Sequence, residues 1–370
     1  MFVYYVIIIS LLILMFASQY AYEKGKNIVS ISFYLGVIEL GFLMACRSYL
    51  VGVDTKEYYA GFQQISLTRF SDLNNTALYG FGGNYVLNFE YGYKLLNKII
   101  SYISTNSQAI IIFSSLLIVI LFAVLIKKYS PNPLLSLWLY VTLGLFQTQM
   151  NISRNSLAIL IVYFGIKYIH NKNFLKYLII VLLGATIHSS VLLMLPVYFL
   201  TNYVPIDRKR LKLYFIASLI LGLLIGIGKS VVIHLVPSKY AYLSSGTDVK
   251  IEGLLVGVMY ILLFGLIYLS NNSAKKEMIK ENQFGTWMFL ITVLFYMSGI
   301  GLSFATRIAI LFGTFMVIYF PSLIYVKSIN PNRRKFLIII IIILCGIQFI
   351  LRINLNNIGG TIPYTFFWNV

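Results

Sequence analysis

The sequence predicts an all-α polytopic membrane protein, and three observations carry that prediction. Of its 370 residues 59% are hydrophobic and the mean hydropathy is +0.84, outside the range of a soluble domain. Apolar runs recur from one end of the chain to the other, and a hydrocarbon core of about 30 Å needs roughly 20 such residues per helix. Clusters of Lys and Arg punctuate the runs so that a single threading puts every cluster on one side. The expected product is about 11–12 transmembrane or re-entrant helices in a single integral membrane domain spanning 1–370.

The first run, 2–22, has neither a basic leading region nor a small-residue cleavage site and reads as a retained span. The other expected spans are 28–46, 107–126, 133–149, 153–170, 174–187, 189–202, 211–234, 253–270, 284–303, 306–326 and 336–353. Lys24 and Lys26, Lys127 and Lys128, Lys172 and Lys176, Arg208 to Lys212, Lys275 to Lys280, and Arg333 to Lys335 are all assigned to the cytoplasm. Both chain ends then lie outside. The net charge of +18, from 29 Lys+Arg against 11 Asp+Glu, follows from this sidedness and requires no nucleic-acid partner.

The threading demands two breaks. The stretch 132–170 has basic flanks at both ends and is too long for one straight span. It must turn back near 150–153, where Gln147, Asn151 and Arg154 interrupt the apolar pattern. A second bend near 186–189 keeps the 208–212 cluster inside, and broken helices are tolerated where they line a cavity. The segment 47–106 is the long extracytoplasmic loop, with a Gly- and Asn-rich middle between two stretches suited to short amphipathic helices.

On this threading the unusual charges gather at the outer face. Arg47 and Asp54 bracket Gly52 just beyond the second span. Arg47 either snorkels to headgroups or anchors a structured loop through an ion pair, and Tyr58 and Tyr59 offer sugar-stacking faces. Glu90, in the sequence FEYGY, could orient a hydroxyl, act as a base or pair with an arginine. Glu39 lies within a span, where a carboxylate is costly unless paired or protonated. Asn151, Arg154, Asn155 and Ala158 follow i, i+3, i+4, i+7 spacing and share one face of a helix. A helix start offers free N–H groups, and Arg adds a fork that matches phosphate, so Arg154 is the first candidate for an anion site. Arg307 opens a later span in the same manner, and the two arginines are expected to clamp a pyrophosphate. His188, at the second break with two serines after it, reads either as a core histidine or as a site residue. His170 and His234 fall at span ends, and the three histidines are too scattered for a metal site. Cys46 and Cys345 give neither a disulfide framework nor metal-ligand spacing.

Taken in order, Arg47…Gly52-x-Asp54…Tyr58, Glu90-x-Gly92-Tyr93, Asn151-x-x-Arg154, His188-Ser, Arg307 and a terminal Pro363-Tyr364 resemble the EpsG family of Wzy-type polysaccharide polymerases. Asn155 stands where relatives often carry Gln, which keeps an amide. The resemblance implies a fold like that of lipid-dependent membrane glycosyltransferases, with no required metal or cofactor. It implies a polymerase at the outer face of the bacterial plasma (inner) membrane. That enzyme would join undecaprenyl-pyrophosphate-linked oligosaccharide repeat units into capsule, exopolysaccharide or O-antigen. The expected partners are those lipid-linked substrates and membrane lipids, and whether a separate regulator sets chain length is left open. In the combined reading Arg154 and Arg307 neutralise the leaving pyrophosphate, with Arg47, Asn151 and Tyr58 completing the binding residues. His188, ahead of Asp54 and Glu90, takes the proton of the attacking hydroxyl. The competing reading is a flippase or transporter of lipid-linked glycans. That would call for charges through the depth of a pathway rather than near one edge.

Overall fold

The computed structural model describes residues 1–229, 251–270, 275–355 and 357–370. Two apolar helices open the chain, α1 (Phe2–Glu23) and α2 (Val29–Ala45). Glu39 on α2 accepts a 2.6 Å hydrogen bond from Ser10 Oγ on α1, which supplies the partner that a carboxylate inside a span requires. The segment 47–106 then forms α3 (Thr55–Leu67), a short hairpin of β1 (Leu78–Tyr79) and β2 (Val86–Leu87), and α4 (Tyr91–Ser101). Phe62, Ile65, Tyr93, Ile100 and Ile110 bury α3 and α4 against the start of α5 (Gln108–Tyr129).

Next come α6 (Pro133–Thr142), α7 (Leu145–Asn151), α8 (Ser153–Tyr163), α9 (Ile166–His170) and α10 (Phe174–Ala185). A 3-10 segment, Ser189–Met194, leads into α11 (Leu195–Tyr203), and α12 (Arg208–Ile227) follows. The later helices are Ile251–Leu269, Lys275–Glu281, Gln283–Ser298, Ser303–Gly313, Met316–Ile324 and Pro331–Leu355. α1, α5, α12 and Pro331–Leu355 are long and apolar enough to cross a membrane. Two bent pairs and several shorter apolar helices account for the other expected spans. Residues 230–234 of the span expected at 211–234, and with them His234, lie outside the described residues. The fold is that of an all-α polytopic membrane protein.

Both expected breaks are present. α7 and the stretch Ser153–His170 meet at 117°, with Ile152 out of helical conformation between them. The Met150 carbonyl released by this bend accepts hydrogen bonds from Arg47 Nη2 at 2.9 Å and Ser153 Oγ at 3.0 Å. α10 ends at Ala185, and His188 is extended before the 3-10 segment begins. Tyr177 Oη donates to the Met194 carbonyl at 2.8 Å, so the chain after the break returns alongside α10. The span expected as continuous over 133–149 is instead divided between α6 and α7 at Gly144, whose φ is +76°. The Arg352 guanidinium lies where a Gly144 side chain would project, and it donates to the freed Leu143 carbonyl at 3.0 Å.

The chain divides into two compact units, residues 1–129, 133–195 and 345–370 in one, and 130–132 and 196–344 in the other. In the first, the tail pairs with the segment after α2. Ser48 N–H donates to Thr365 O at 2.9 Å and Phe367 N–H to Cys46 O at 3.0 Å, while Gly52 N–H donates to Gly360 O at 2.9 Å. Tyr364 Oη reaches Leu43 O at 2.7 Å. In the second, Phe264, Phe289 and Tyr319 stack in the interior, and Tyr319 Oη shares a 2.9 Å hydrogen bond with Thr286.

Candidate functional site

Glu90 is the centre of the most polar cluster in the first unit. It is the N-cap of α4, with an extended backbone that turns its side chain away from the helix. Gly92, two residues on, packs against Thr186 so closely that any side chain there would collide with the Thr186 Oγ1. The glycine therefore allows the start of α4 to rest on the break after α10. That contact brings two sequence-distant segments into one place.

Four groups converge on the Glu90 carboxylate. Oε1 meets His188 Nδ1 at 3.1 Å and accepts from Ser189 N–H at 3.0 Å and Ser189 Oγ at 3.1 Å. Oε2 lies 3.0 Å from Arg154 Nη1. This last contact is a charge pair rather than an aligned hydrogen bond, because Nη1 directs its hydrogen bond to the Asn88 carbonyl at 2.7 Å. The Arg154 guanidinium also lies over the rings of Phe89 and Tyr93, at 4.9 and 5.9 Å from their centroids. Burial works to raise the Glu90 pKa, but the His188 hydrogen bond, the Arg154 charge and the Ser189 N–H outweigh it and hold the carboxyl down at about 2. Arg154, Glu90 and His188 keep 17%, 23% and 20% of their side chains exposed, so the cluster is held from behind and open in front. Beside it, Ser190 Oγ reaches Asn155 Oδ1 at 3.5 Å.

The structure thus brings together three of the residues singled out from sequence, Arg154, His188 and Glu90. Within the first unit it places Arg47, Asn151, Asp54 and Tyr58 differently. Arg47 has no exposed surface. Its guanidinium donates to the carbonyls of Met44 and Met150 and to the hydroxyls of Ser115 and Ser153, not to Asp54. The expected Arg47–Asp54 ion pair is absent because the arginine is taken up by carbonyls freed at the end of α2 and at the α7–α8 bend. Asn151 ends α7 on the far side of that bend from Arg154, so the two do not share a helical face. Its Oδ1 accepts from the Asp54 N–H at 2.7 Å and fixes the turn into α3. That turn needs Gly52, whose φ is +101° and whose Cβ would crowd Thr55 and Asn151. Asp54 opens α3, and the contacts of Glu90, His188 and Arg154 do not include it. Tyr58 is buried against Phe89 and Tyr93 and offers no ring face to a sugar. Arg307 is exposed on Ser303–Gly313 in the second unit.

Ser189 stands in the His188-Ser motif without an expected role, and the Asn88 carbonyl is the contributor that the motifs do not contain. Ser189 had a signal, its position directly after a histidine at a helix break. Asn88 had none, because a backbone carbonyl carries no residue-type signature. Among the described residues no group of three or more His, Cys, Asp or Glu is placed to hold a metal ion.

The chain is 25% identical over 304 residues to the amylovoran biosynthesis protein AmsC of Erwinia amylovora, covering 76% of each chain. No solved structure matches. The match to the EpsG family extends over residues 31–366 and so takes in the Glu90 cluster, the Arg47 scaffold and the tail that pairs with it; the chain belongs to the EpsG family.

Proposed function

We propose that this protein is a glycosyltransferase of polysaccharide biosynthesis. In this reading it joins lipid-linked oligosaccharide repeat units into exopolysaccharide at the outer face of the plasma membrane. The observation that carries the proposal is the Glu90 cluster, an ionised carboxylate that holds a histidine and an arginine side by side with their outer edges exposed. Membership of the EpsG family supports the same direction, as does the similarity to a protein named for amylovoran biosynthesis.

With Glu90 ionised, the hydrogen between it and His188 belongs on Nδ1, which leaves the Nε2 lone pair as the base. The acceptor hydroxyl oxygen attacks the anomeric carbon of the donor glycan, and its proton passes to His188 Nε2. The bond from that carbon to the pyrophosphate oxygen breaks, and the lipid pyrophosphate departs as an anion. Arg154 uses only Nη1 on protein acceptors, so its other N–H groups can meet the developing negative charge. Glu90 keeps the imidazole in the right tautomer and stabilises the imidazolium that forms.

The test uses purified protein in liposomes with lipid-linked repeat units and no other enzyme. Lengthening of the lipid-linked glycan supports the polymerase, with His188→Ala and Arg154→Ala each lowering the rate by at least about 100-fold. Translocation without lengthening would make the protein a flippase and reject the proposal.

A further inference from the structure

Beside α3 lies a set of aromatic rings with no part in the chemistry above, Tyr59 on the helix, Tyr49 in the segment before it and Phe81 in the hairpin that follows. Tyr59 packs on Tyr49 with ring centroids 4.8 Å apart and planes 31° apart, and Tyr49 packs on Phe81 at 5.8 Å and 34°. The three form a shallow staircase. Tyr49 and Tyr59 are half-buried, while Phe81 at its end is 46% exposed. Neither tyrosine hydroxyl has a hydrogen-bond partner among the described residues, so both remain available to a ligand.

The staircase is held rigidly. Gln64 on α3 clamps both sides of Tyr79, with Nε2 donating to Tyr79 O at 2.7 Å and Oε1 accepting from Tyr79 N–H at 2.9 Å. Glu57 Oε2 accepts the Phe81 backbone N–H at 2.9 Å, which ties the hairpin tip to α3 and sets a carboxylate beside the Phe81 backbone. The hairpin tip that carries Phe81 turns through Gly82 and Gly83, both at positive φ, and ends in Asn84. Exposed amides at a tip of this composition belong in water rather than in hydrocarbon, where each unsatisfied group is costly. The rings are therefore not arranged as a wedge into the bilayer.

From these observations we infer that Tyr49, Tyr59 and Phe81 form a glycan subsite, with Phe81 and Tyr59 stacking against the apolar C–H face of a pyranose and Glu57 and the free tyrosine hydroxyls meeting its hydroxyl rim. The occupant is the oligosaccharide part of the substrate, which rests on the glycosyltransferase reading above. Tyr58 and Tyr59 are neighbours on α3. Tyr58 packs on Phe89, over which Arg154 lies, so the helix that carries Tyr59 also backs the aromatic residues beneath Arg154.

The probe is the oligosaccharide released from the host's own polymer by partial hydrolysis, titrated against the full-length protein in nanodiscs. Phe81→Leu and Tyr59→Leu should each weaken binding about threefold to tenfold, with Phe81→Tyr close to wild type. His188→Ala should bind the oligosaccharide normally while failing to lengthen lipid-linked glycan in the liposome assay, so loss of catalysis and loss of the subsite register separately. Wild-type affinity in both leucine variants overturns the subsite, whatever the polymerase assay shows. Leucine variants that bind normally but detach from or destabilise in the bilayer would make the staircase an interfacial anchor, and this too rejects it. Normal extension by His188→Ala together with weakened binding in the leucine variants keeps the subsite and rejects the catalytic assignment.

Discussion

Replacing Glu90 with glutamine tests the cluster most sharply, because it deletes one charge and little else. The amide oxygen can still accept from Ser189, so what is lost is the attraction to Arg154 and the ionic hydrogen bond to His188. The Glu90 carboxyl is lowered from an ordinary 4.5 to about 2, which is worth about 3 kcal/mol at full strength. Screening by solvent at a side chain 23% exposed reduces this to about 2 kcal/mol. A depressed carboxyl stabilises the fold fully above its unfolded value, and that contribution is lost as the pH falls through the folded value. Wild-type protein should therefore lose this increment between pH 4.5 and about 2. Glu90→Gln should begin roughly 3–5 °C lower in Tm at pH 7 and show a shallower decline, so that the two curves converge in acid. The assay is thermal unfolding in detergent followed by intrinsic fluorescence from pH 7 downward. Equal Tm at pH 7 with parallel pH curves would refute the view that Glu90 is an ionised hub.

Arg47→Met should cost about 3 kcal/mol or more, since it strands the Met44 and Met150 carbonyls in the interior. The check is yield and Tm of the purified variant, and a Tm near wild type would show that the guanidinium is not a scaffold. Gly92→Ala should push the start of α4 off Thr186 and cut polymer synthesis at least about tenfold with the protein still folded, a 1 Å misplacement being enough for that. Polymer amount and length in cells carrying a well-expressed variant decide it, and unchanged polymer would mean the contact does not position Glu90. Asn151→Ala should cost only about 1 kcal/mol, because it removes one hydrogen bond to the Asp54 N–H. A loss of activity as deep as that of Arg154→Ala, measured on protein of normal stability, would return Asn151 to the substrate site.

Charges were legible in the sequence where each had a chemical reason to be unusual. Arg154, His188 and Glu90 interrupt apolar or loop segments with groups that need partners, and they turn out to be one another's partners. The two chain breaks were legible for a related reason, since a threading that keeps every basic cluster on one side requires them. Arg47 and Asn151 show why a polar side chain at a helix end is ambiguous, since the guanidinium that suits a phosphate also suits orphaned carbonyls and the Asn151 Oδ1 accepts an orphaned backbone N–H. Tyr58 and Tyr59 show the limit in its simplest form. Adjacent residues on a helix point about 100° apart, and no local pattern says that Tyr58 faces Phe89 while Tyr59 joins the staircase.

Composition and spacing by themselves determined that this chain crosses a membrane as helices, two of the places where those helices break, and which polar residues had to be accounted for. Hydrophobicity and charge are additive along the chain, so they can be read without knowing what packs on what. Only tertiary structure decided which arginine is scaffold and which is open to a ligand. Arg47 and Arg154 are equally charged and both follow a helix break, yet one is consumed by Met44, Ser115, Met150 and Ser153 and the other keeps part of its fork free. The difference lies in contacts between segments up to about a hundred residues apart, brought together by Gly92 resting on Thr186 and by the α7–α8 bend. Such contacts depend on three-dimensional fit rather than on local pattern.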